Sequence, residues 1–87
     1  MKRVKERLLH LSEEHTNWLG NEIKYEQKEK EEGLNIPEKF YYGRACGAVL
    51  MIESDIEFLL SLLSQEERKE LEEDGFYIQW RHEVFNN

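Results

Sequence analysis

Cysteine and proline each occur once in this 87-residue chain, and no apolar run is long enough to cross a bilayer. One thiol excludes an intrachain disulfide, and Cys46, set among Ala45, Gly47 and Ala48, reads as a reduced packing residue. Leu50 to Leu63 is interrupted by Glu53, Asp55 and Glu57 and falls short of the roughly 20 apolar residues a membrane span needs. The start, MKRVKERLLHLSEEH, turns acidic before any apolar core develops, unlike a secretory signal peptide. These absences point to a soluble, cytoplasmic protein.

Catalytic motifs are missing as well. His10, Glu13, Glu14 and His15 suggest a metal-hydrolase helix, but the two histidines are five apart and diverge around a helix, whereas HExxH and HxxEH motifs place both on one face. Two ligands, His10 and Glu14, do not make a zinc site. Hence no metal is expected, and His15 is placed at a helix seam with His10 at its edge. Gly43 and Gly47 lack the strand, turn and lysine of a phosphate loop. Cys46 has no base indicated beside it, and no pair of carboxylates is singled out by burial. An enzyme is not expected, nor is a cofactor.

What the chain does contain is charge, mostly negative, and one unusually apolar segment. Of the net charge of −7, little comes from residues 1 to 30, which carry seven basic and six acidic side chains; the remainder carries five and thirteen. Glu66, Glu67, Glu70, Glu72, Glu73 and Asp74 form the densest patch. The run reads first as a solvated helix face and second as an acidic surface for a basic, nucleic-acid-binding protein. The overall sign disfavours direct nucleic-acid binding, although Lys2, Arg3, Lys5 and Arg7 form a small basic cluster. That cluster can equally neutralise the acidic helix of its own chain or a neighbour.

Helical periodicity organises most of the sequence. Val4, Leu8, Leu11, His15, Trp18, Glu22 and Tyr25 recur at steps of four and three, predicting a helix over residues 3 to 32 that loses its apolar stripe after Tyr25, so its last turns project into solvent or fray. Gly33 suits a left-handed stop, with Leu34 folding back on the last turn. Pro37 fits the opening of a second helix, over 37 to 63. Ser64 and Glu67 form a capping box that starts a third helix over 65 to 73, ended by Gly75. Only Leu71 points inward from it. In the tail, Phe76, Ile78, Trp80 and Val84 alternate with Tyr77, Gln79, Arg81 and Glu83, favouring extended structure over 76 to 85; helical spacing through Phe76, Trp80 and Val84 competes with that reading. A lone strand would need a partner from outside the chain.

The expected architecture is therefore mainly α: one small domain built on a long antiparallel helical hairpin, with a short third helix and an extended aromatic tail, completed by dimerisation.

The second helix is apolar around more than half its circumference, which is too much for one buried face. Tyr41, Ala45, Ala48, Val49, Ile52, Ile56, Leu59, Leu60 and Leu63 make a broad face for the first helix, around Trp18. Phe40, Met51, Phe58 and Leu62 make a second stripe, with Arg44 and Asp55 at its edge. Gly43 and Gly47 notch the helix and are expected to accommodate Trp18 or Tyr25 within the chain, or to let another backbone approach. If two copies cross antiparallel around Val49 and Leu50, residue i faces residue 99 − i, so Arg44 meets Asp55, Phe40 meets Leu59 and Tyr41 meets Phe58, each twice.

The function expected is thus binding. A small acidic interaction module, acting as inhibitor, adaptor or assembly factor, leads; a nucleic-acid mimic of phage or mobile-element type is one version of it. Its expected self-interface is Phe40, Arg44, Met51, Asp55, Phe58 and Leu62, and its expected partner-binding surface is Glu66, Glu67, Glu70, Glu73, Asp74, Phe76, Tyr77 and Trp80. The alternative is a dimeric nucleic-acid-binding regulator that uses the basic N-terminus.

Overall fold

The structure is a computed structural model, and it describes residues 2 to 85. Four helices follow one another among these residues: α1 (Lys2–Glu31), α2 (Ile36–Ser61), α3 (Gln65–Glu73) and α4 (Arg81–Phe85). No strand is present among them. α1 and α2 form the hairpin and give the molecule its length, 46 Å against 23 and 17 Å in the other directions.

The hairpin turn is built from local chemistry. Gly33 takes the left-handed conformation (φ 79°), and Leu34 is buried directly after it. Glu29 accepts a hydrogen bond from the Leu34 N–H at 2.8 Å. Asn35 caps α2 through a capping box in which Glu38 N–H donates to Asn35 Oδ1 (2.9 Å) and Asn35 N–H donates to Glu38 Oε1 (3.1 Å). α2 therefore begins at Ile36, one residue before the proline. The Asn-x-x-Glu spacing was available in the sequence as a start signal.

Polar ties also hold the end of α1. Lys30 pairs with Glu26 at 3.7 Å, Lys28 pairs with Glu38, and the Tyr42 hydroxyl donates to Glu26. With these links the stretch beyond Tyr25 remains helical to Glu31 rather than fraying.

The apolar core lies toward the opposite end. Leu8 and Leu11 of α1, Ile52 and Ile56 of α2, Leu63 and Leu71 pack together, with Leu59, Leu60, Phe76, Ile78 and Trp80 half-buried around them. α3 closes this end. Its Ser64–Glu67 capping box forms as expected (3.0 and 3.1 Å), and Leu71 is its sole buried residue. Lys5 pairs with Glu70, so one member of the basic cluster neutralises the acidic helix of its own chain. Arg68 donates through Nε and Nη2 to the Leu60 carbonyl at 3.1 and 2.8 Å, satisfying an acceptor at the end of α2.

The tail departs from the expected strand. Gly75 (φ 102°) ends α3, and residues 76 to 80 cross the hairpin without regular structure. Phe76, Ile78 and Trp80 are half-buried while Tyr77 and Gln79 are exposed, so the two-residue alternation is real. It docks side chains on helices instead of pairing with a strand. Arg81–Phe85 is helical, which corrects the extended reading over 81 to 85 and removes the need for an external strand.

Candidate interaction surface and an internal polar cluster

α2 has two dissimilar faces. Ala45, Val49, Ile52 and Ile56 point inward and are buried, with Ala48, Leu59 and Leu60 half-buried beside them. Tyr41 was expected on this side but is exposed. Outward lies a row of apolar side chains left exposed among the described residues: Ile36 (84% exposed), Phe40 (67%), Leu50 (53%), Met51 (70%), Phe58 (65%) and Leu62 (46%). Their spacing follows one side of a helix at ~100° per residue and runs for about 40 Å at 1.5 Å per residue. Isolated exposed apolar residues are ordinary, whereas several along one side of a helix make a candidate contact surface.

The notch faces outward as well. A Cβ at Gly43 or Gly47 would meet no atom within 4 Å, so neither glycine makes room for Trp18 or Tyr25, contrary to expectation. Trp18 is instead half-buried at the helix seam, with the Arg44 guanidinium 5.9 Å from its ring centre. Arg44 and Asp55 are both exposed at the edge of the row. Leu59 belongs to the inner side, which excludes it as the opposite number of Phe40 across an outward contact. All six residues of the expected self-interface are exposed, five on α2 and Leu62 at its C-cap.

The expected partner-binding residues are more dispersed. Glu66, Glu73 and Asp74 are exposed; Glu70 is tied to Lys5, and Glu67 serves the α3 cap. The backbone hydrogen bond from Ser64 holds the Glu67 carboxyl below its ordinary range. Phe76 and Trp80 are largely spent on the hairpin, leaving Tyr77 (70% exposed) as the accessible tail aromatic.

A polar cluster missed at the sequence level lies inside the hairpin. Glu22 is completely buried, and its Oε2 accepts from Arg81 Nε at 2.7 Å. Glu53 Oε2 lies 2.7 Å from Nε2 of buried His15 and accepts the Arg81 backbone N–H at 2.6 Å. Two buried carboxylates are thus singled out after all. Glu22 sits on the apolar stripe of α1, which was the available signal; Arg81 arrives from 59 positions away and had none. Burial, reinforced by Glu22, pushes the Cys46 thiol up, while Arg81 opposes that shift. The cluster's geometry suits it to clamping the tail onto α1 and α2.

His10 pairs with Glu14 at 2.8 Å on the exposed side of α1, away from His15. Among the described residues no group of three or more His, Cys, Asp or Glu side chains is placed to hold a metal ion, and no helix is long and apolar enough to cross a membrane. A notch of about 130 Å³ lined by Trp18, Asn21, Tyr25, Tyr41, Arg44 and Ala45 adjoins the outward row; small-molecule sites occupy roughly 300–1,000 Å³. In comparisons with known proteins, no family model, no curated protein and no solved structure matches this chain.

Proposed function

We propose that this protein is a small helical interaction module that acts by binding another protein, as an inhibitor, adaptor or assembly factor, through the outward face of α2. One observation carries the reading: Ile36, Phe40, Leu50, Met51, Phe58 and Leu62 remain exposed in a single row although the chain has an aromatic tail that could have covered them. That tail docks elsewhere, on the core cluster. Burying such a row releases roughly 25 cal/mol for each Å² of apolar surface removed from water, so a partner helix or groove gains much of its affinity there.

The acidic face of α3 is the competing surface within the same function class, as a mimic that occupies a basic groove. Lys5 already offsets Glu70, and Glu67 is engaged in its cap, so the acidic patch presents less charge than its sequence suggests.

Affinity capture from cells of the source organism separates the two. A Phe40→Glu, Phe58→Glu variant should lose the captured protein, while Glu66→Gln, Glu73→Gln should retain it, with binding little changed by added salt. Retention by the first variant together with loss by the second would reverse the assignment.

A further inference from the structure

We infer that, when no other partner is bound, the outward α2 face is occupied by a second copy of the same chain, crossing antiparallel about a two-fold axis level with Val49; this rests on reading that face as an interaction surface. The face is complementary to itself in shape and in charge. With Leu59 turned inward, the register that pairs exposed residues is one in which i faces 98 − i. Phe40 then lies against Phe58, Ile36 against Leu62, and Met51 over the open notch at Gly47, each contact occurring twice. The missing side chains at Gly43 and Gly47 let the two helices approach to the close end of the usual 8–10 Å.

Charge complementarity supports the same arrangement on both edges. Arg44 and Asp55 lie along one edge of the row, and Lys39 and Glu57 along the other. Under antiparallel two-fold symmetry each edge meets itself reversed. Arg44 then falls within one residue of the partner copy's Asp55, and Lys39 within two of its Glu57, offsets of about 1.5 and 3 Å along the axis that long side chains span. A parallel two-fold pair would instead bring the opposite edges together at equal height, setting Asp55 beside the partner copy's Glu57, like charge against like. Among the described residues no ion pair within the chain uses Lys39, Asp55 or Glu57. Those three remain available to a second copy.

Sedimentation of the full chain over a concentration series tests this, with circular dichroism confirming that each variant is helical. The wild type should dimerise. Arg44→Asp and Asp55→Arg should each weaken the dimer roughly tenfold, because symmetry makes every reversal count twice, and the combined swap should restore it. The pair Lys39→Glu with Glu57→Lys should behave likewise. Phe58→Glu should abolish the dimer. A dimer lost with Phe58→Glu but indifferent to all four charge reversals would overturn the antiparallel register. A chain monomeric up to about 1 mM would overturn the second copy as occupant. If Phe58→Glu still lost a captured protein in that case, the interaction surface itself would stand, so the two readings fail separately.

Discussion

The inner and outer faces of α2 are made of similar residues and meet opposite fates. Inward, Ala45, Val49, Ile52 and Ile56 are small or β-branched and buried on the α1 side; outward, Phe40, Leu50, Met51 and Phe58 are larger and exposed. Size and shape separate the faces better than polarity does. The inner row is short because the two helices are close together, whereas the outer row carries long, protruding side chains interrupted by glycine, a surface of bumps and notches.

Substitution should expose that contrast most strongly at Ile56. Ile56→Ala removes a completely buried side chain and should cost about 4 kcal/mol in denaturant unfolding. Met51→Ala, measured at protein concentrations low enough to leave the outer face bare, should change stability by less than about 0.5 kcal/mol. Comparable losses at the two sites would erase the distinction between the faces. Next in size is Arg81→Ala, which leaves the buried Glu22 carboxylate without its cation and should cost about 3 kcal/mol, with the tail loosening before the hairpin. Hydrogen exchange resolved by residue would show whether residues 76 to 85 open first.

Gly47→Ala sharpens the comparison in the other direction. Because a Cβ there meets no neighbour, the monomer should gain about 1 kcal/mol from helix propensity, while self-association should weaken as the notch fills. Opposite changes in unfolding midpoint and dimer constant are the expected result.

Acid should have the smallest effect. The Glu38 carboxyl is held low by Lys28 and then by the Asn35 backbone, and Glu67 by the Ser64 backbone. A depressed folded-state value means that these caps contribute fully above the ordinary carboxylate value of 4.5 and lose their contribution as pH falls through the lower folded value. Thermal midpoints should therefore drop on acidification below that point, and less steeply in Glu38→Gln, Glu67→Gln.

The helices and most of their ends were legible because periodicity and caps are local. Ser64 with Glu67, and Gly33 with Leu34, formed as their spacing implies. Asn35 with Glu38 is an equally local signal, and it sets the start of α2 one residue before Pro37. The outer row was also visible, since helical spacing alone places Phe40, Met51, Phe58 and Leu62 together. Its emptiness was not, because coverage by the tail depends on where residues 76 to 80 travel. That tail kept its two-residue alternation without becoming a strand: the pattern records which side chains face the hairpin, and a docked segment needs that pattern as much as a sheet does. Glu22, Glu53 and Arg81 stayed hidden because charged residues are mostly solvated, and their burial depends on a contact closed across 59 positions.

One atom of that cluster makes the tail's behaviour measurable. Glu53 Oε2 is shared between the His15 ring and the Arg81 backbone N–H at the start of α4, so exchange of that amide hydrogen requires the tail to leave the carboxylate. Its exchange lifetime in a nuclear magnetic resonance experiment is then a clock for tail detachment, readable in the unmodified protein and without any label.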